Sequence, residues 1–208
     1  MEKGNVMKQG LLIVISGPAG SGKGTVIKEL LKSEKFAYSV SATTRAPRPG
    51  EEHGVNYYYI SKEEFEFRLM TGAMLEHTVY CDNYYGTPLR EAMEVMESGR
   101  NLILEIEVEG AMNVKKIYPE AVLIMLLPPS FSVQEERLRG RATETEEVIQ
   151  ARLERTREEV PVLSQYDYVV YNETGGVEAC AEDIRSIVRA EQRSTKRHPN
   201  AAKQYFEN

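Results

Sequence analysis

Apolar runs that alternate with amphipathic segments are the main pattern along this chain. Residues 11–15 and 121–127 are continuous apolar runs, which is typical of strands covered on both faces. Residues 101–108 alternate between two faces, and residues 74–80 and 166–171 also have strand character. The pattern therefore predicts several short strands, at least two of them central.

Helix signals separate these strands. Apolar residues recur at helical spacing from Val26 to Leu31. Capping boxes and a Thr-Pro pair indicate further helix starts, at Ser61, Thr87-Pro88, Ser132 and Thr143, and a closing helix is expected over residues 177–193. Strands that alternate with helices predict an α/β sandwich around a mostly parallel sheet. The polar tail from Ser194 is expected to fray.

A glycine-rich turn follows the first strand and carries the strongest functional signal. It consists of Gly17-Pro18-Ala19-Gly20-Ser21-Gly22-Lys23-Gly24-Thr25. Glycines let the main chain approach phosphate oxygens, while the helix N-terminus and the Lys23 ammonium supply positive charge. The turn therefore predicts a phosphate-binding loop (P-loop). Because Gly24 stands where the strict motif has Ser or Thr, position 24 offers magnesium no hydroxyl, and either water or Thr25 would take that place.

Composition narrows the class of partner. The 208 residues carry 32 acidic and 26 basic side chains, a net charge of −6, which argues against a protein that coats nucleic acid or an anionic membrane. The apolar runs are far shorter than the roughly 20 residues that span a bilayer. The two cysteines, Cys81 and Cys180, suit a reducing compartment. We expect a cytoplasmic, single-domain protein.

Two groups of arginines interrupt the acidic background. Arg45 and Arg48 lie in a proline-rich loop after residues 38–44, which have strand character. The second group consists of Arg137, Arg139, Arg141, Arg152, Arg155 and Arg157. Guanidinium forks suit phosphate oxygens, but interleaved glutamates leave a solvated helix face as the alternative for the second group, most of all for Arg155 and Arg157. One P-loop and a separate arginine pair predict two phosphate sites, and therefore phosphoryl transfer rather than hydrolysis.

Carboxylates that could recognise a base occur in two places. Glu76 lies in segment 74–80, while Glu105 and Glu107 lie near the end of segment 101–108, where open α/β sheets bind their ligands. A carboxylate can accept from both N1–H and the exocyclic amine of guanine. Adenine lacks that donor pair and would leave the carboxylate unpaired, at a cost of about 1–3 kcal/mol. Glu76, with Ser41 as a donor, could fill this role, although taken alone it is more simply a charge on an exposed sheet face.

Five segments in register closely resemble the guanylate kinase family. They are residues 17–25, 39–51, 83–87, 104–111 and 139–145, and the resemblance extends from about residue 11 to 193. It implies transfer of the γ-phosphoryl group of ATP to GMP or dGMP, with Mg²⁺ bound mainly by phosphates and water. It also implies a P-loop three-layer sandwich with a parallel core sheet, an inserted GMP-binding lobe and a helical lid.

The resemblance assigns roles to individual residues. The catalytic set would be Lys23, Arg45, Arg141 and Arg152. ATP would be held by residues 17–25 and Asn172. The GMP pocket would consist of Ser41, Arg45, Arg48, Glu51, Tyr57, Glu76, Tyr85, Thr87 and Glu105. The core would be about residues 1–36, 88–129 and 161–208, the GMP-binding lobe about 37–87, and the lid about 130–160.

Three features depart from the family's usual pattern. Glu109 replaces glutamine, Ala142 replaces a glycine of the lid motif, and Glu105 and Glu107 stand where some relatives have aspartates. None of these removes a charge that phosphoryl transfer needs. Two other functions stay open at this point: a scaffold module that binds a phosphorylated peptide in the same lobe, and a kinase for another nucleoside monophosphate. A homo-oligomer is also possible.

Overall fold

Strands and helices alternate along this computed structural model, which describes residues 9–80, 82–140 and 144–207. The strands are β1 (Leu12–Ser16), β2 (Phe36–Tyr38), β3 (Ala42–Thr43), β4 (Tyr58–Tyr59), β5 (Met74–Tyr80), β6 (Asn83–Pro88), β7 (Asn101–Glu105), β8 (Val122–Leu127) and β9 (Tyr168–Tyr171). The helices are α1 (Lys23–Leu30), α2 (Lys62–Met70), α3 (Leu89–Glu97), α4 (Val108–Ile117), α5 (Phe131–Gly140), α6 (Glu146–Glu159), α7 (Val177–Glu191) and α8 (Ala201–Glu207). No helix within the described ranges is long and apolar enough to cross a membrane.

A parallel five-stranded sheet forms the centre of the fold, in the order β2-β7-β1-β8-β9. Side chains of β1 alternate between two cores. Ile13 and Ile15 pack with α1 and α7, whereas Leu12 and Val14 pack with α3 and α4. Because β1 is covered on both faces, its sequence is a continuous apolar run. The predicted α/β sandwich with a parallel sheet is confirmed.

A smaller sheet lies between β2 and α3 in the chain, in the order β4-β3-β6-β5. Segment 38–44 was expected to have continuous strand character. Instead the chain leaves the central sheet at Tyr38 and joins the smaller sheet at Ala42. Phe65 of α2 is fully buried under this sheet, and its ring stacks on Tyr84 with the centroids 5.1 Å apart.

Two elements at the edge of the sheet have bounds other than those predicted. β7 ends at Glu105, rather than continuing to residue 108, because Glu107 is already the N-terminal cap position of α4. α5 begins at Phe131 because the hydroxyl of Ser130, not of Ser132, accepts a hydrogen bond from the main-chain N–H of Val133, at 3.2 Å.

Two further expectations concern the segments around α6 and the C-terminus. The cap position of α6 is Thr145, while Thr143 lies outside the described residues. The tail does not fray immediately after Ser194. Arg197 donates to the carboxylate of Glu191 at 3.0 Å, and α8 follows.

Burial of Phe65 gives a test of the smaller sheet. Replacing Phe65 with alanine leaves a cavity under this sheet, so we expect Phe65→Ala to lower the free energy of unfolding by about 3–5 kcal/mol. Phe67 lies on the same helix but is 56% exposed, and Phe67→Ala should cost less than about 1 kcal/mol. Urea unfolding of both variants measures the difference, and equal costs would contradict the packing described.

Candidate active site

The glycine-rich turn joins β1 to the first turn of α1. The Lys23 ammonium donates to the carbonyl oxygen of Gly17 at 2.5 Å and to that of Pro18 at 3.3 Å, so it lies over the turn. Gly22 has a φ of +89°, and a Cβ there would lie 2.3 Å from Nδ2 of Asn172. Gly24 begins the exposed side of α1 and carries no hydroxyl for a metal. The turn therefore has the geometry of a P-loop.

Unsatisfied polar atoms collect around this turn. In the described ranges, the buried side-chain oxygens without a hydrogen-bond partner are Ser16 Oγ, Ser21 Oγ, Tyr166 OH and Asn172 Oδ1. Ser16 ends β1 immediately before the turn, and Asn172 is held beside it because its Nδ2 donates to the carbonyl of Ser21 at 2.8 Å. Tyr166 lies beside Ser16, without the geometry of a hydrogen bond. Such orphan groups are rare in protein interiors, and here they mark a place prepared for a polar ligand.

A buried glutamine attaches the helices α5 and α6 to the turn. Nε2 of Gln134 donates to the carbonyl of Ala19 at 2.9 Å and to the hydroxyl of Thr156 at 2.7 Å. Leu138, Ile149 and Leu153 form a small apolar core that also contacts Ala19. No motif in the sequence singled out Gln134, because its role depends on how the two helices pack.

Of the two arginines assigned to this helical segment, Arg152 lies within the described residues. Arg152 donates to the Glu144 carboxylate at 2.5 Å and so pairs within the segment, not with the P-loop. Arg141 lies outside the described residues.

The loop after β3 forms a second cationic pocket. The Arg45 guanidinium binds both carboxylate oxygens of Glu51, at 3.0 and 2.9 Å, and its carbon lies 5.6 and 5.8 Å from the ring centroids of Tyr57 and Tyr59. Tyr85 packs edge-on against Tyr57, with the centroids 5.9 Å apart. The structure thus brings these predicted residues together and adds Tyr59, which the sequence reasoning missed although it alternates with Tyr57.

Glu51 holds this pocket in place. Its carboxylate accepts the main-chain N–H of Arg48 at 2.7 Å and the Tyr59 hydroxyl at 2.8 Å. The N–H of Arg48 is the largest of the influences that lower the pKa of Glu51 to about 2, with Tyr59 and Arg45 adding to it and burial opposing it. Glu51 therefore stays ionised and fixes Arg45, while Arg48 remains exposed.

Glu76 is buried, which overturns the simple expectation of a charge on an exposed sheet face. The pairing of β5 with β6 shifts between Met74 and Glu76, so that Leu75 and Glu76 are both buried in succession. The hydroxyl of Thr87 donates to Oε1 of Glu76 at 2.8 Å. Burial raises the pKa of Glu76 to about 7, although hydrogen bonds from Thr87 oppose the shift. A carboxylate buried with a single side-chain donor has spare capacity to accept hydrogen bonds from a ligand.

The end of β7 connects the two pockets. Glu105 pairs in parallel register with Ile15, so it lies at the sheet edge from which the P-loop emerges. Tyr38 donates to Glu105 at 3.5 Å. The pKa of Tyr57 is raised mainly by burial and further by charges that include Glu105, so this carboxylate acts electrostatically on a tyrosine of the cationic pocket. Oε2 of Glu76 lies against Gly110 in the first turn of α4, which begins at the same edge.

Ser41 lies between β2 and β3, next to this edge. It is half-buried, and its carbonyl oxygen accepts the main-chain N–H of Tyr58 at 2.8 Å. Its hydroxyl is thus carried by the backbone segment that joins the two sheets.

A P-loop at the edge of a parallel sheet and a separate guanidinium pocket beside the smaller sheet together indicate a class of protein. One site presents main-chain groups and an ammonium, and the other presents guanidinium and phenol groups. Two anion sites of this kind fit the P-loop phosphotransferases, in which a phosphoryl group passes between two bound molecules.

Comparison with known proteins identifies the family. The guanylate kinase family model matches residues 9–191. The guanylate kinase of Streptococcus thermophilus (strain CNRZ 1066) is 52% identical over 186 residues, covering 88% of each chain. That of Clostridioides difficile (strain 630) is 46% identical over 195 residues, covering 93% of this chain and 94% of the relative. The chain therefore belongs to the guanylate kinase family, and it is a nucleoside monophosphate kinase.

A solved structure supports the same assignment. The crystal structure of guanylate kinase from Anaplasma phagocytophilum matches with a TM-score of 0.72 and 34% sequence identity, covering 92% of this chain and 91% of that one. The fold expected from the resemblance, a P-loop α/β sandwich, is thus confirmed.

The contact between Gly22 and Asn172 gives a test of the P-loop geometry. Gly22→Ala places a methyl group against Asn172 and also strains a left-handed residue. Gly72 has a φ of +68° with nothing within 4 Å of a Cβ, so Gly72→Ala should cost only the backbone strain, about 1–2 kcal/mol. We expect Gly22→Ala to cost roughly 1–3 kcal/mol more than that. Urea unfolding compares the two variants, and equal losses would contradict the close approach.

The raised pKa of Glu76 predicts a pH-dependent stability. Since the pKa is about 7 in the folded chain and 4.5 ordinarily, the folded state binds the proton more tightly. This contribution to stability is fully present below pH 4.5 and is lost as the pH rises through 7. Glu76→Gln mimics the protonated form, so it should raise the free energy of unfolding at pH 8 by up to roughly 3 kcal/mol and change it little at pH 4.5. Chemical unfolding of the ligand-free proteins at both pH values measures this, and a gain that is the same at both would contradict it.

Proposed function

We propose that this chain transfers the γ-phosphoryl group of ATP to GMP or dGMP, giving ADP and GDP or dGDP. The observation that carries the proposal is the buried Glu76 carboxylate, in a lobe whose cationic pocket lies near the sheet edge that bears the P-loop. Guanine has two adjacent N–H donors that satisfy such a carboxylate, and a mismatched base would leave it unpaired. Family membership supports the same reaction.

The acceptor nucleotide would bind in the smaller lobe, about residues 37–87. Arg45, Arg48, Tyr57 and Tyr85 would bind the GMP phosphate, because guanidinium and phenol donors suit phosphate oxygens. Glu51 would be a positioning residue: ionised and paired with Arg45, it would repel a phosphate if it touched one directly. The base and ribose side of the pocket would be formed by Ser41, Glu76, Thr87 and Glu105.

The donor nucleotide would bind along residues 17–25, with Lys23 on the phosphates and Asn172 near the adenine. A Mg²⁺ ion that enters with ATP would be held mainly by phosphates and water, because position 24 offers it no hydroxyl. Carboxylates of Glu105 and Glu107 could accept hydrogen bonds from its waters. When bound with ATP, the ion would supply neutralisation of the phosphate charge.

Transfer would proceed by in-line displacement. An oxygen of the GMP phosphate forms the new bond to the γ-phosphorus, while the bond to the bridging oxygen breaks and its electron pair leaves with ADP. Lys23 would hold the ATP phosphates and Arg45 the GMP phosphate. Two phosphate groups, each with a charge close to −2, can then approach each other. The lid, about residues 130–160, would bring Arg141 and Arg152 to the transferring group. For Arg152 this requires release from Glu144.

Turnover with a panel of nucleotides tests this function. With ATP and Mg²⁺, the chain should phosphorylate GMP and dGMP and leave AMP, CMP and UMP largely unchanged.

Glu76→Gln should lower kcat/KM for GMP by about 10- to 100-fold, since a hydrogen-bonding charge is lost. Lys23→Met should abolish turnover while GMP binding survives. ADP release measures all three, and equal use of AMP and GMP, or an unaffected Lys23→Met, would contradict the proposal.

A further inference from the structure

Helix α6 presents a charged face beside its buried one. Ile149, Leu153 and Thr156 point into the small core and towards Gln134. Arg155 and Glu159 lie one turn apart on the adjoining face, and Nε of Arg155 donates to Oε1 of Glu159 at 2.7 Å. This face is therefore organised by an ion pair and is not simply a solvated surface.

Arg155 also reaches out of the helical segment to the central sheet. Its Nη2 donates to Oε2 of Glu107 at 3.1 Å. Glu107 follows Glu105 by two residues, and Glu105 pairs with Ile15, two residues before Gly17. The guanidinium thus extends from α6 to the edge of the sheet beside the start of the P-loop. By contrast, Arg152 keeps its contact with Glu144 within the helical segment.

The charge of Lys23 belongs to the same cluster. Glu159 has a raised pKa, mainly through burial, and the charges of Arg155 and Lys23 both oppose that shift while Glu107 adds to it. The charges of Lys23 and Arg155 therefore both act on the Glu159 carboxylate. The Arg155 side chain is 47% exposed, so a ligand in the cleft can reach it.

Phosphate oxygens can replace these carboxylates. An exposed ion pair such as Arg155–Glu107 contributes little stability because solvent screens it and two side chains must be ordered. A polyphosphate carries more charge than one carboxylate, and the planar fork of arginine can bind two of its oxygens at once. Displacement of Glu107 by phosphate is therefore favourable.

We propose that Arg155 binds the terminal phosphates of ATP and is a catalytic residue of the transfer, with Glu107 and Glu159 holding its guanidinium beside Lys23 until the nucleotide arrives. This assignment rests on the proposed function. It gives the P-loop lysine a second cation from α6, so that the transferring group meets two positive charges.

Arginine variants on α6 test the proposal. Arg157 is the matched control: it lies two residues further along, pairs with Glu154 and covers the ring of Phe131, with 5.1 Å from its guanidinium carbon to the centroid. Four quantities are measured. They are kcat with ATP and GMP, the affinity for a pentaphosphate in which five phosphates link adenosine to guanosine, the affinity for GMP alone, and the melting temperature. Arg155→Lys keeps the charge without the fork and serves as the conservative variant.

Arg155→Ala should lower both kcat and the affinity for the pentaphosphate by about 10- to 100-fold, the effect of one charge-assisted contact. Affinity for GMP alone should stay within about twofold and the melting temperature within about 3 °C, because an exposed pair contributes little to the fold. Arg155→Lys should recover part of the loss, and Arg157→Ala should stay within about twofold of the unaltered protein in all nucleotide measurements.

Three results would overturn the assignment: full kcat and pentaphosphate affinity in Arg155→Ala, an equal loss in Arg157→Ala, or a loss that follows a fall in melting temperature and GMP affinity. If the unaltered protein does not phosphorylate GMP, the proposed function fails separately. Binding of ATP alone then decides the role of Arg155: weaker binding by Arg155→Ala supports it, and unchanged binding overturns it.

Discussion

Parallel pairing of β1 with β7 is the interaction on which the site depends. It aligns Ile15 with Glu105, so the P-loop and the carboxylates that follow β7 leave the sheet at one edge. On its other side, β1 pairs with β8 in the same direction. Both neighbours and both faces of β1 are therefore fixed by buried contacts. The P-loop starts from a strand that has little freedom to move, which is what close approach to phosphate requires.

Two separate bodies are attached around this edge. The smaller sheet reaches it through Glu76, which lies against α4. The pair α5 and α6 reaches it through Gln134 and through the ion pair of Arg155 with Glu107. These contacts are polar, and each body also has an apolar contact with the core: Ala19 packs on the cluster of α5 and α6, and Leu75 of β5 packs with α3 and α4. Such an arrangement suits bodies that close over a ligand, because polar contacts exchange for ligand contacts at little cost.

The sequence predicted those parts of the site that depend on local patterns. The P-loop, β1 and the cap of α2 by Ser61 each follow from a few adjacent residues. The burial of Glu76 did not follow, because it results from a shift in the pairing of two strands that periodicity alone does not encode. The contact of Arg155 with Glu107 depends on how α6 lies against the sheet, whereas Arg152 pairs with Glu144 within its own segment. Their charge pattern alone could not distinguish a solvated face from a contact with the P-loop edge.

A crystal structure with a single ligand, in which five phosphates link adenosine to guanosine, tests most directly whether the two anion sites share one cleft. We expect Lys23 and Arg45 each to donate to oxygens of the same phosphate chain, within about 3.2 Å, and the guanine edge to contact Glu76. A guanosine end bound outside the smaller lobe, or Lys23 and Arg45 on separate ligand molecules, would contradict the claim that the two anion sites share one cleft.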